Sequence, residues 1–228
     1  MKRALPLFFY LSVLIVISCS HKYYTVSYFD QQTANHKIVA VLPAEMIFTG
    51  KQPEKLTAED IAKIEDQESK NFQQALYNSI LRYANSRKYF TRINLQDLGT
   101  TQRILEEHKI GAKETWKKDD KELAALLGVD AVVRMRIQKQ RYMSDLASYG
   151  ISLGRQIIYN TGISSKIPVP YVPNKTNDIY ASCNIISNNQ TLWNDSYKRA
   201  SDWDSPANEI IESITNNFGQ HFPYKQRR

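Results

Sequence analysis

Few stretches restrict a fold as tightly as Leu127–Tyr142, LGVDAVVRMRIQKQRY. An amphipathic helix predicted to end at Gly128 leads at once into a strand through Asp130, Ala131, Val132 and Val133. Glycine most readily takes the left-handed conformation that closes a helix, and the β-branched pair suits a pleated, buried surface. A helix delivered directly into a buried strand is the building unit of an α/β layer architecture. The remaining elements can be placed around it.

Upstream, Lys37–Leu42, KIVAVL, is a continuous apolar run that suits a strand covered on both faces, and Pro43 ends it. Residues 44–56 read as a loop. Thr57-Ala-Glu-Asp60 resembles a capping box. A long helix is predicted from there to about Arg87, with Ile61, Ile64, Phe72, Leu76, Ile80 and Tyr83 as its apolar stripe. Tyr89–Leu95 reads as a strand, Thr100 or Thr101 as the cap of a short helix through Glu107, and Asp119–Glu122 as the cap of the helix carrying Leu123, Leu126 and Leu127.

Downstream, Ile179, Ala181, Cys183 and Ile185 alternate with Tyr180, Ser182 and Asn184, Asn188-Asn189 makes a turn, and Thr191–Tyr197 returns with Leu192 and Trp193. Ser205-Pro206 begins a last helix with Ile210, Ile211, Ile214 and Phe218 on one side. The order β-α-β-α-α-β-(insertion)-β-β-α predicts a three-layer α/β sandwich, a mixed β-sheet flanked by helices, with an inserted hairpin or loop at about 143–177. The core domain is expected over 37–222, with 223–228 as a solvated basic tail.

The first residues do not belong to that core. Lys2 and Arg3 precede a mostly apolar run from Ala4 to Ile17, ending Val16-Ile17-Ser18-Cys19. A positive start, a short apolar segment and a small residue before the cut mark a secretory signal over 1–18, and the run is short for a spanning helix. VISC resembles the lipobox of bacterial lipoproteins, which implies cleavage between Ser18 and Cys19 and acylation of Cys19, as with palmitate. The competing reading is a plain signal peptide with a chance cysteine. Residues 19–36 would be the lipidated N-terminus and tether, with Tyr23, Tyr24, Tyr28 and Phe29 resting partly on the body or at the bilayer interface.

Charge and cysteine usage agree with that address. Removing Lys2 and Arg3 from 30 basic residues leaves 28 against 23 acidic, a net charge of +5. Such an excess fits anionic headgroups or an acidic wall polymer such as peptidoglycan, and no basic helix with interleaved aromatics points to nucleic acid. With Cys19 acylated, Cys183 has no disulfide partner and is expected to pack as a small apolar residue. His21, His36, His108 and His221 follow no metal-ligand spacing, so no cofactor or metal is expected.

Taken together, KIVAVLP, the long helix, LGVDAVV, the hairpin NNQTLW and the final helix resemble a group of envelope lipoproteins with a shared α/β domain. The group includes the curli secretion channel lipoprotein, lipoprotein activators of penicillin-binding proteins and, more remotely, the N-terminal domain of the Tol-system propeller protein. Leu127–Val133 and Gln190–Trp193 stand where that group carries "LGADAVV" and "tGevlW", with Asn189 in place of the usual glycine. The resemblance implies a binding or assembly module, or a pore subunit, at the outer membrane, because Ser20 replaces the aspartate that retains lipoproteins at the inner one.

Residues 143–177 admit several readings. Tyr149, Ile151, Leu153, Arg155, Ile157 and Tyr159 alternate with small and polar residues, the pattern of a transmembrane strand in a multi-subunit barrel. Arg155 would then face lipid, and Pro168, Pro170 and Pro173 would interrupt the return strand beside Tyr171. An edge hairpin, or an extended proline-rich arm that binds a partner, fits the same residues.

Chemistry is sparse. Asp119-Asp120 and Asp202/Asp204 sit beside helix starts where capping explains them, Gly162-Ile-Ser-Ser lacks the second glycine of a nucleophile turn, and no phosphate-binding glycine loop occurs. Trp193, Trp203, Tyr180 and Tyr197 read as a sugar-binding strip or, alternatively, as packing. The expectation is therefore a non-enzymatic outer-membrane lipoprotein. Its α/β module would face the periplasm and bind other envelope proteins, with homo-oligomerisation open. A curli-type channel subunit is the alternative, and a cell-wall glycan hydrolase ranks last.

Overall fold

In the computed structural model, residues 23–50, 57–144, 175–202 and 204–228 are described. Cys19, Ser18 and the insertion positions Tyr149, Ile151, Leu153, Ile157, Tyr159, Pro168, Pro170 and Tyr171 lie outside them. The elements are β1 (Tyr24–Thr25), α1 (Phe29–Gln32), β2 (Ile38–Val41), β3 (Glu45–Gly50), α2 (Ala58–Ala84), β4 (Tyr89–Thr91), β5 (Asn94–Leu95), α3 (Leu98–Glu107), α4 (Ala112–Lys117), α5 (Asp120–Leu127), β6 (Ala131–Arg141), β7 (Asn177–Ser187), β8 (Gln190–Ser201), α6 (Ala207–His221) and β9 (Lys225–Arg227). Seven strands form one mixed sheet in the order β1-β8-β7-β6-β2-β5, with β3 also on β6.

The expected organising strand is central. β6 takes β2 and β3 in parallel on one side and β7 antiparallel on the other. Gly128 sits at φ 67° and closes α5 in the left-handed conformation. Asp130 then fixes the register: its carboxylate accepts from the backbone N–H of Lys37 at 2.7 Å and of Ile38 at 2.9 Å. Those donors start β2, so a side chain at the mouth of one strand locks the next.

Alternation along the strands sends two sets of side chains to opposite faces. On one face Val39, Val41, Val133, Met135, Ile137, Ala181, Cys183, Ile185 and Trp193 are buried under α2 and α6. On the other, Ala40, Leu42, Val132 and Ile186 are covered by Leu105, Leu123, Ala124 and Leu127 of α3 and α5. The architecture is thus a mixed sheet flanked by helices on both sides. Cys183 packs as expected, and burial pushes its thiol far up from the ordinary value.

Several expectations need correction. Glu45–Gly50, read as loop, is a strand, because the eleven-residue β6 extends past β2 and offers a free ladder there. Pro43 divides β2 from β3, and α2 satisfies carbonyls at the break: Gln73 Nε2 donates to Val41 O and Ser69 Oγ to Ala44 O, both at 2.7 Å. The buried line of α2 is Ser69, Phe72, Gln73, Leu76, Ser79, Ile80 and Ala84, while Ile64 stays exposed and Ile61 half-buried on the overhanging first turns. Tyr89–Leu95 splits into β4 and β5, which pair with β9 and β2 respectively. The cap of α3 is Asp97, which accepts from Thr100 N, and Thr101 is buried instead. α4 went unread because it is only six residues long.

The first and last described stretches are both tied in. β1 pairs with β8, Val26 and Phe29 are buried, and the Phe29 ring meets Tyr224 edge-on at 5.1 Å. At the other end KQRR is not a loose tail: Lys225–Arg227 pairs with Tyr89–Thr91 and Tyr224 is fully buried. An aromatic residue with a core socket just before a short β segment is what anchors it.

Candidate functional site

α3 and α5 cover only one end of their face of the sheet. Past Val132 the same side of β6 turns polar with Arg134, Arg136 and Gln138, and β7 and β8 follow with Asn184, Ser182, Tyr180, Asn194, Ser196 and Lys198. Period-two alternation places all of these on one surface. Two adjoining hollows run along it. One, of about 590 Å³, is lined by Arg136, Gln138, Tyr180, Ser182, Ser196 and Lys198 among others. The other, of about 170 Å³, lies beside Trp116, Glu45 and Arg134.

The cations on this surface are matched. Arg134 bonds Asp120 and the carbonyls of Thr115 and Lys118, and Arg136 bonds Glu45 at 2.5 Å. At the far end Asp178, 4% exposed, accepts from Lys175 at 2.8 Å, Tyr142 OH at 3.1 Å and Lys198 at 3.4 Å. Lys175 and Lys198 lie 4.8 and 4.7 Å from the ring centroids of Tyr142 and Tyr180. The result is a hydrogen-bonding face of near-balanced charge, rich in amides and hydroxyls.

Asp178 also closes the root of the insertion. The β6–β7 ladder runs unbroken to Arg141↔Asn177, and Tyr142 N donates to Thr176 O at 2.8 Å. Burial opposes ionisation of Asp178, yet the bonds from Lys175 and Tyr142 hold its carboxyl below the usual carboxylate value. A lowered folded-state pKa gives stability that is present above the unfolded value, near 3.9, and lost as pH falls through the folded one. Asp178→Asn is accordingly expected to lower stability by about 1 to 3 kcal/mol at pH 7. Urea unfolding should show the gap between the two proteins closing below about pH 3.

The outer edge of β8 is open beside this surface. β1 pairs only with Trp193 and Asn194, so among the described residues no strand lies against Ser196–Ala200. The expected aromatic strip is not assembled: Trp193 is in the core, Tyr197 packs half-buried on that same side, Tyr180 stands on the opposite face, and Trp203 lies outside the described residues.

The carboxylate pairs have structural work. Asp119 caps α5, Asp120 holds Arg134, and Asp202 accepts from Ser205 Oγ at 2.9 Å. Two histidine contacts were not legible in the sequence, since their partners lie far along the chain. His36 Nδ1 is 2.7 Å from Tyr224 OH, and His221 Nδ1 is 2.9 Å from buried Asp195. Burial lowers the His36 pKa and raises that of Tyr224, so both stay neutral and share a hydrogen bond. Among the described residues no group of three or more His, Cys, Asp and Glu could hold a metal, and no helix is long and apolar enough to cross a membrane.

No protein-family model matches the chain, and no curated protein matches it. Among solved structures the chain is similar to a PelC dodecamer from Paraburkholderia phytofirmans, at 10% identity over 81% of this chain and 86% of that one, TM-score 0.38. It is also similar to lipoprotein GNA1162 from Neisseria meningitidis, at 9% identity over 78% and 91%, TM-score 0.40. The LpoB C-terminal domain from Salmonella enterica matches at 8% identity over 73% and 83%, TM-score 0.31.

Proposed function

We propose that this chain is a lipoprotein of the outer membrane, acylated at Cys19, whose periplasmic α/β domain binds other envelope proteins and does not transform them. The observation that carries the binding role is the edge of β8 past Ser196, against which no strand lies among the described residues, running beside a polar hollow. An extended partner segment can add there as a strand, its backbone pairing with Lys198–Ala200 and its side chains reaching Tyr180 and Lys198, while the Ser196 N–H is already held by the Asp195 carboxylate at 2.7 Å. Lys198 and Arg199 on that edge discourage indiscriminate pairing.

Two measurements test this. Fatty-acid labelling should mark the wild-type chain and vanish in Cys19→Ser, which should leave the membrane fraction; a wild-type chain without label removes the anchor. A photo-crosslinking residue at Lys198 should give defined adducts in the native envelope, and one at Lys63 on α2 should not. Equal adducts from both positions would defeat the β8 reading.

A second reading, an oligomeric channel subunit, is favoured by the β6–β7 ladder, in which two eleven-residue strands stay paired up to residues 141 and 177. Residues 144–172 would continue it as a spanning hairpin, with Tyr149, Ile151, Leu153, Ile157 and Tyr159 towards lipid. Deleting Ser144 to Pro173 would then abolish a large, detergent-stable oligomer. An unchanged small species before and after deletion excludes it.

A further inference from the structure

The described chain begins at Tyr23, and it is already held there. The Tyr23 ring stacks on His221 at 5.4 Å, and Tyr24 and Thr25 are in the sheet. Only Ser20, His21 and Lys22 separate this fixed point from Cys19. Four Cα steps span at most about 14 Å. On the reading that Cys19 is acylated, one particular end of the domain must therefore sit against the bilayer.

That end has the composition of a membrane-contact surface. Tyr23, Tyr24 and Tyr28 are 51 to 59% exposed, and Phe90 on β4 is 37% exposed. Tyr23 and Tyr28 line a hollow of about 700 Å³ together with Phe222, Pro223 and Lys225. Beside it, the ammonium groups of Lys88 and Lys225 lie 5.3 and 5.1 Å from the ring centroid of the same residue, Tyr89. Arg227 and Arg228 extend the basic strip; among the described residues none of these four cations pairs with a side-chain carboxylate, and half-buried Lys225 donates to the Gln220 carbonyl. The acid close by, Asp30, is engaged by Arg92 at 2.9 Å. Elsewhere most cations are matched, as Lys63 is by Glu59 and Lys70 by Asp66.

We infer that the β4–β9 ribbon and the Tyr23–Tyr28 segment form a docking surface for anionic phospholipid headgroups, which holds the domain in one orientation on the leaflet that carries its anchor. Amphipathic tyrosines favour the headgroup layer, and lysines and arginines without a carboxylate beside them are drawn to its negative potential. This rests on the anchor proposed above, which supplies the proximity; the surface itself is testable without it.

The mature chain from Ser20, with no acyl group, keeps every described residue. It should cosediment with vesicles containing one-quarter phosphatidylglycerol, not with purely zwitterionic vesicles, and should be released by high salt. Lys88→Gln together with Lys225→Gln should weaken this partition by about thirtyfold. Tyr23→Ser with Tyr28→Ser should weaken it severalfold, and Lys63→Gln with Lys70→Gln should leave it unchanged. Circular dichroism and thermal melting of each variant should match the parent; a pair that unfolds is replaced by Arg227→Gln with Arg228→Gln, for which the same loss is expected. Free glycerol phosphate should not displace the protein. Equal binding to both vesicle types, no binding to either, displacement by glycerol phosphate, or an equal effect of the Lys63/Lys70 pair overturns the proposal. Vesicle binding that persists while Cys19 proves unlabelled overturns the anchor and leaves the surface standing.

Discussion

Replacing Trp193 by alanine is expected to remove about 3 to 5 kcal/mol of folding stability, the cost of deleting a large buried aromatic side chain. Trp193 is fully buried on β8 opposite Ile185, and its ring meets Phe222 edge-on at 6.4 Å. Phe222 packs on Tyr224 at 5.6 Å and Tyr224 on Phe29, so one indole supports both the first and the last described stretches. Its Nε1 is buried without a hydrogen-bond partner. Trp193→Phe removes that unsatisfied donor along with some volume, and the two effects offset, so a loss below about 1.5 kcal/mol is expected. Urea unfolding of the three proteins checks both values. An alanine variant within 1 kcal/mol of the parent would mean the cavity collapses, and the aromatic chain Trp193–Phe222–Tyr224 would not be the support described.

Gly219→Val should be the second severe lesion. α2 and α6 cross at Ser79 and Gly219, so closely that a Cβ on Gly219 would lie 2.9 Å from the backbone C and O of Ser79. Real Cβ atoms do not approach so near, and Ser79 offers backbone there, which cannot swing aside. The helices would have to part and carry Phe72 and Phe218 with them, at a cost of about 1 to 3 kcal/mol or more. For a protein of this size each kcal/mol lowers the melting temperature by roughly 2 to 4 °C. Gly219→Ala should fall between parent and valine, and Ser79→Ala should rescue only weakly, because it removes the hydroxyl and leaves the backbone. A valine variant that melts with the parent would refute the close crossing.

Elements whose partners are near in sequence were legible, and those completed from afar were not. The cap at Gly128, the box at Thr57 and the hairpin at Asn188-Asn189 are local, and the structure contains them. Even the departure at Asn189 has a reason: at φ 62° its side chain accepts from Lys121 N and donates to Asp119, tying the hairpin to the start of α5, which glycine could not do. β3 was missed because its ladder is supplied by the excess length of β6; β9 was missed, and the split of Tyr89–Leu95 into β4 and β5 with it, because β9 is three residues whose pairing lies over 130 positions away. The open face was legible residue by residue, as the polar half of alternating strands. Nothing local said that α3 and α5 would stop short of it. Cys19 and the insertion lie outside the described residues, so their roles stand as proposed.

The chain's last strand has a consequence for how the molecule is made. Among the described residues β1 pairs only with β8, and β4 only with Lys225–Arg227. Any machine that feeds this polypeptide out amino end first delivers the finishing clasp last. Until then β4 lacks its ladder partner, and its closure waits on a pairing between residues more than 130 positions apart.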